Sequence, residues 1–195
     1  MNARLGIILT SRALLEKNGL DPYHHAMRMS SYLRDGFVRL ELEADVPPPV
    51  GEDGEVDRER HVREVKQAVL DEITGLFDAT GNVDNRKRLF EDLYNREKKA
   101  GTGIGNGIAI PHVRSKKVRT TMLGFARSSA GYDWDAPDGE LVRTFIAIVG
   151  PSFDSDLYLR LYREIAAMFK FDGLRKQLEE TWNEHEVYQL FDGNY

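Results

Sequence analysis

The chain has 195 residues, enough for one domain with a real core, or one domain plus an extension. Charged residues at 30% and hydrophobic ones at 41% are ordinary for a soluble globular protein, and a net charge of −5 argues against nucleic-acid binding. The absence of cysteine removes disulfides, thiolate metal sites and cysteine nucleophiles together.

No apolar run is long enough to span a bilayer, and the N-terminus lacks a basic-then-apolar leader pattern. A cytoplasmic location without membrane insertion is therefore expected. Within residues 1–31, Ser11 is placed to cap a short helix through Leu14 and Leu15 that Gly19 ends. Pro22 suits the first turn of a second helix running to about Leu33. The adjacent His24 and His25 diverge on a helix and are read as surface residues.

Phe37 to Glu43 alternates, with Val38, Leu40 and Leu42 on one face and Arg39, Glu41 and Glu43 on the other, which predicts a half-buried strand. Residues 45–57 are rich in proline, glycine and acid and predict an exposed, semi-extended loop. From Asp57 the recurrence of Val62, Val65, Val69, Ile73 and Leu76 predicts a helix closed by Gly81. Asp84 is expected to cap the next helix, whose buried side is Leu89, Phe90, Leu93 and Tyr94. Its last turn carries Arg96, Lys98 and Lys99, where the helix C-terminus favours cations. The clusters Arg86-Lys87-Arg88 and Lys116-Lys117 read as solvated faces.

Gly101, Gly103, Gly105 and Gly107 then stand at alternate positions, a backbone able to turn tightly and approach a ligand closely. Gly107 to Ile110 reads as a short strand that Pro111 stops, sending the chain out of the sheet on a stiff path. His112 follows at once, held where nucleophilic or proton-transfer work needs it; a plain strand-end histidine bonded to a carbonyl is the alternative. The glycines fit neither the dinucleotide fingerprint nor a Walker loop, and His185-Glu186 lacks a second histidine at zinc-protease spacing. No metal site or cofactor is expected.

Thr121 to Ala126 is a predicted strand, and Asp138-Gly139 a turn. The apolar run Leu141 to Val149 predicts a central strand covered on both sides, ended by Gly150-Pro151. Asp154 to Phe169 is the most regular helical pattern, with Leu157, Leu161, Ile165 and Met168 as its stripe and Tyr158, Tyr162 and Phe169 at the margin. Short helices are predicted over Gly173–Trp182 and Glu184–Phe191. This order predicts an α/β domain, a mixed sheet flanked by helices on both faces.

The stretch from Arg96 through Gly101-Thr-Gly-Ile-Gly-Asn-Gly-Ile-Ala-Ile-Pro-His112 resembles the signature of the IIA domains of the phosphoenolpyruvate-dependent sugar phosphotransferase system, of the fructose/mannitol and nitrogen-regulatory type. The resemblance runs from about Tyr32 to Leu190, leaving residues 1–31 as an extension of the domain at 32–195, and makes the 45–57 loop an insertion. It implies the IIA fold and a phosphocarrier whose His112 accepts a phosphoryl group from a histidine-containing phosphocarrier protein. The downstream partner is then a separate IIB/IIC permease or a regulatory target, because a fused cysteine-type IIB domain is excluded.

The same resemblance assigns Arg96 to the phosphate, although spacing alone leaves simple dipole pairing equally open. Thr102 is a candidate hydroxyl donor or an ordinary loop cap; Asn106 is a candidate ligand contact or a fixer of its own loop. The glycine loop is expected to turn N–H groups toward the phosphoryl oxygens. Two departures from the family pattern stand out. Gly101 replaces a serine, and Tyr158 occupies the place of a second histidine, either as a neutral donor in the site or as a packing residue. A regulatory binding module with vestigial phosphotransfer is the alternative function, and an assembly role for residues 1–31 and the acidic loop ranks below it.

Overall fold

A computed structural model describes residues 28–48, 50, 54–55, 57–169 and 172–193. In chain order these form α1 (Met29–Asp35), β1 (Phe37–Arg39), α2 (Arg58–Asp78), α3 (Arg86–Lys99), β2 (Gly103–Gly105), β3 (Ile108–Ala109), β4 (His112–Ser115), β5 (Met122–Tyr132), β6 (Val142–Pro151), α4 (Ser155–Met168), α5 (Asp172–Glu180) and α6 (Glu184–Phe191).

The apolar run of β6 organises the sheet. It pairs in parallel with β3 and β4 and antiparallel with β5, giving the order β1-β5-β6-β3-β2 with β4 also on β6. Phe145, Ala147 and Val149 of β6 point into one core with Val65, Val69, Ile73, Phe77 and Leu89 of α2 and α3. Ile146 and Ile148 point into the other, with Leu33 of α1, Leu161 and Ile165 of α4, and Leu178 and Phe191 beyond. The result is a three-layer α/β/α arrangement, the mixed sheet flanked on both faces that the element order predicts.

Several boundaries move for local physical reasons. Asp57 caps α2 by accepting from Arg60 N at 2.9 Å, and Phe77 rather than Leu76 completes the buried stripe. The cap of α3 is Asn85, not Asp84: its side chain accepts from Arg88 N at 2.9 Å, while Asp84 turns to Arg119 at 2.6 Å. A cap oxygen must reach the third N–H of its helix, and for a helix opening at Arg86 only position 85 does so. The strand at Phe37 is shorter than predicted. It ends at Arg39, and Leu42 enters the α2 side of the sheet while Val38 and Leu40 pack on the other. The chain turns over there because Glu72 accepts from the N–H groups of Glu43 and Ala44. β5 runs on to Tyr132, past the predicted end at Ala126, with a register shift after Arg127.

The boundary drawn at residue 31 falls inside α1. Ser30 bonds Asp192 through both its N–H and its hydroxyl, at 3.1 and 2.7 Å, so this helix belongs to the domain. The predicted helices around Ser11, Gly19 and Pro22, with His24 and His25, lie outside the described residues. The described residues of the acidic loop are mostly exposed. Among the described residues no helix is long and apolar enough to cross a membrane.

Candidate functional site

Pro111 sets the position of the central residue. Its ring withholds an N–H and keeps Ile110 extended, so the strand is interrupted between β3 and β4. The chain does not leave the sheet as predicted: Pro111 O accepts from Ile148 N at 2.9 Å, and Ala109–Phe145 and His112–Ile148 share one register. His112 therefore opens a strand instead of following one. Alternation along β4 then turns Val113 to the α2–α3 core and brings His112 and Arg114 together on the α4 side.

The imidazole is held from both ends. Nδ1 lies 2.6 Å from the Ile110 carbonyl oxygen, and Nε2 lies 2.9 Å from Arg96 Nη2. A carbonyl only accepts, so Nδ1 carries the proton and Nε2 offers its lone pair to the guanidinium. Burial lowers the pKa of His112 below the ordinary histidine value; the Ile110 carbonyl opposes this, the charge of Arg96 adds to it, and Glu97 opposes it. The ring is neutral at neutral pH, with a nucleophilic Nε2.

Arg96 arrives from the last turn of α3. Its Nη1 donates to Ala100 O at 2.7 Å while Nη2 reaches His112, so one fork closes the helix end and faces the imidazole. Behind it the Glu97 side chain is 1% exposed and pairs with Lys66 Nζ at 2.9 Å. Thr102 N donates to both Glu97 carboxylate oxygens, at 3.1 and 3.2 Å, and the Thr102 hydroxyl also donates to Glu97. Thr102 is thus buried behind the site and is not placed to touch an anion in front of His112.

The glycine-rich segment is likewise set aside from the cavity. Gly105, Asn106 and Gly107 all have positive φ, forming the tight turn between β2 and β3. The Asn106 N–H donates to Asp138 at 2.6 Å, and a Cβ on Gly105 would sit 2.9 Å from that carboxylate. None of Gly101 to Gly107 lines the cavity in front of His112.

That cavity has a volume of about 930 Å3. Arg88, Arg96, Lys99, Arg114, Lys116 and Lys117 line it, against a single acid, Asp92. Tyr158, one turn into α4, lines it too: its ring centroid is 6.3 Å from that of His112 and 5.8 Å from the Arg114 guanidinium. It is 7% exposed and also belongs to the α4 core, so both readings of this residue describe part of its surroundings. Among the described residues its hydroxyl has no hydrogen-bond partner, and burial raises its pKa above the ordinary phenol value. It is therefore a neutral donor.

Several residues at this site escape a reading of spacing alone. The Tyr162 ring lies closer to His112 than that of Tyr158, tilted at 58° with 4.9 Å between centroids, and Arg114 donates to Ser155 at the start of α4. The available signal for Arg114 was its place two residues past His112 on a strand. Lys116 and Lys117, read as merely solvated, border the cavity. Among the described residues no group of three or more His, Asp or Glu side chains is placed to hold a metal ion.

An α/β/α domain that aims the free nitrogen of a neutral histidine into a cationic cavity has the makings of a covalent carrier of an anionic group. The family profile described as "Phosphoenolpyruvate-dependent sugar phosphotransferase system, EIIA 2" matches residues 56–194, and the chain belongs to that family. The matched region begins at residue 56, later than the Tyr32 suggested by the motif.

Among relatives, the chain is 33% identical over 125 residues to the nitrogen regulatory protein of Pseudomonas aeruginosa, covering 64% of this chain and 81% of that protein. It is 29% identical over 127 residues to the fructose-specific EIIABC component of Bacillus subtilis, which covers 65% of this chain but only 20% of that longer protein. Among solved structures, the nitrogen regulatory protein IIA-Ntr of Neisseria meningitidis superposes with a TM-score of 0.63 at 23% identity, covering 79% of this chain and 92% of the other. The IIA mannitol structure from Escherichia coli gives 0.54 at 16% identity, covering 79% and 94%. These likenesses establish the IIA fold.

Proposed function

We propose that this protein is a phosphocarrier that accepts a phosphoryl group on His112 Nε2 from a phosphohistidine of a carrier protein in the cytoplasm. The observation that carries this reading is the fixed tautomer: Ile110 O holds the proton on Nδ1, leaving Nε2 free beside Arg96. In the transfer, the Nε2 lone pair forms the new N–P bond and the electrons of the old N–P bond return to the donor ring. The proton stays on Nδ1 throughout. Arg96 Nη2, which now faces Nε2, turns to the phosphoryl oxygens as the bond forms, and Tyr158 supplies a neutral donor from the opposite side.

The phosphoryl group then passes to a separate permease component, or its presence regulates a target protein; relatives of both kinds, fructose-specific and nitrogen-regulatory, support either use. One observation favours a second reading, a binding module with vestigial transfer. Among the described residues His112 is the only histidine lining the cavity, where the family pattern implies two.

Incubation with phosphoenolpyruvate and the upstream phosphotransferase proteins, followed by mapping of acid-labile phosphate, decides between them. Label on His112, absent from His112→Ala, is expected. Label on His24, His25, His61 or His185 with His112→Ala still modified overturns the assignment, and an unlabelled wild-type protein leaves the binding module.

A further inference from the structure

Arg96 meets His112 with one arm of its fork, so its aim depends on where the other arm is held. That anchor is Ala100, the extended residue just past α3, whose carbonyl accepts from Arg96 Nη1 at 2.7 Å. What fixes Ala100 lies on either side of it in the chain. Glu97, three residues before, accepts both the N–H and the hydroxyl of Thr102, two residues after. The carboxylate therefore clasps a short loop that has Ala100 inside it.

The clasp is tied down at both ends. Lys66 Nζ reaches Glu97 from α2 at 2.9 Å and lies 5.6 Å from the centroid of the Trp134 ring. Trp134 Nε1 in turn donates to the Thr102 hydroxyl at 3.4 Å. On the other side, Thr102 O accepts from Ile110 N at 2.9 Å, and the Ile110 carbonyl is the one that holds His112 Nδ1. One buried carboxylate thus joins the anchor of the arginine to the strand that leads into the histidine. Such an ion pair is a poor device for stability, because taking two charges out of water can cost more than their attraction returns. It is a good device for geometry, since a carboxylate gripped by three donors is held in one orientation.

We propose that Glu97 is a positioning residue for phosphoryl transfer: through Thr102 it places Ala100 O, and through Ala100 O it aims the Arg96 fork at the group on His112 Nε2. This rests on the phosphocarrier reading of His112. Glu97 is itself buried behind the fork and does not line the cavity in front of the imidazole. Its effect on the transfer rate passes through Arg96. Loss of its charge leaves His112 neutral at neutral pH, because Glu97 only opposes the lowering of that pKa.

Two variants of the full chain test this, with the histidine carrier of the phosphotransferase system, charged from phosphoenolpyruvate, as donor. Glu97→Gln leaves one acceptor oxygen where Lys66 and both donors of Thr102 converge, and turns an NH2 group against them. Thr102→Val removes only the hydroxyl and keeps the Lys66–Glu97 pair, which guards against a simple failure to fold. In Glu97→Gln, kcat should fall about tenfold or more while KM for the carrier stays within about twofold. Thr102→Val should show the same pattern to a smaller extent. In an Arg96→Ala background neither substitution should slow transfer further, because the group each acts through is gone. A second readout needs no phosphoryl donor: side-chain NMR should show hindered rotation of the Arg96 guanidinium in the wild-type protein and freer rotation in Glu97→Gln.

Losses that add to that of Arg96→Ala would show that Glu97 acts elsewhere, which overturns the positioning proposal and leaves the carrier reading intact. A normal kcat in Glu97→Gln beside a lowered melting temperature overturns it as well, and makes the pair structural only. If the wild-type protein takes no label on His112, the carrier reading falls and the guanidinium rotation alone decides. Equal rotation in both proteins then overturns the placement of Arg96 by Glu97, and release in Glu97→Gln upholds it.

Discussion

The two flanks of His112 are built on different principles. On the α3 side stands a cation anchored at both ends: Arg96 bonds Ala100 O and His112, and the next residue, Glu97, is locked by Lys66 and Thr102. On the α4 side stand two aromatic rings, Tyr158 and Tyr162, and among the described residues the Tyr158 hydroxyl has no hydrogen-bond partner. One flank supplies charge through a rigid fork; the other supplies shape and a neutral donor. On the proposed function, charge neutralisation of a phosphoryl group at His112 would rest on the arginine flank, since among the described residues no second histidine lines the cavity.

The largest effect should follow from breaking the charged flank. Arg96→Ala removes a preorganised cationic donor, and transfer to His112 should slow by about a hundredfold or more. Arg96→Lys keeps the charge but not the planar fork, and should restore only part of the rate. Rapid-quench measurement of transfer beside thermal unfolding checks both. A near-normal rate in Arg96→Ala would leave this residue as a helix cap alone.

A smaller effect is expected from the neutral flank. Tyr158→Phe deletes one hydrogen bond to a charged group, worth about 1.5–3 kcal/mol at most, so transfer should slow by no more than about ten- to a hundredfold. Because the ring stays in the α4 core, the melting temperature should hardly move. Tyr158→His should keep or raise the rate by adding a titratable donor. If Tyr158→Phe transfers normally, or melts early, the residue serves packing only.

The smallest effect concerns the imidazole between the flanks. Burial depresses the pKa of His112 below its unfolded value of 6.5, so below that value the unfolded chain binds more protons than the folded one. Stability gained from keeping the ring neutral is present above pH 6.5 and is lost as pH falls through the window down to the depressed native pKa. A ring titration followed by NMR should therefore show His112 still neutral where an ordinary histidine is half protonated. Arg96→Ala should move its pKa upward, since the guanidinium helps to lower it. A midpoint at or above 6.5 in the wild-type protein would contradict the burial account.

Much of this could be read from the chain and some could not, for identifiable reasons. Val65, Val69 and Ile73, like Leu161 and Ile165, repeat at three and four, and a helix with one buried stripe writes that period into its sequence. The strand at Phe37 misled because it has apolar neighbours above and below, so alternation of charge with aliphatic residues no longer marks inside and outside. Asp84 and Asn85 are both good caps in succession, and only the helix start distinguishes them. His112 and Arg96 stood out through the motif that contains them. Their support did not: Glu97 looks like one more charge on a polar helix until Lys66 and Thr102 are brought against it by the fold. Thr102 was legible as a donor, but spacing does not say to whom.

The carbonyl that fixes the tautomer of His112 belongs to the Ile110–Pro111 peptide, two residues back along the same chain. It is a tertiary amide, whose nitrogen carries no hydrogen, and its neighbour is stiffened by a ring. The tautomer of this histidine is therefore prescribed by a tripeptide, whereas its neutrality rests on burial by the elements packed around it. A phenol standing where the resemblance leads one to expect a second imidazole leaves unaltered the nitrogen that His112 presents.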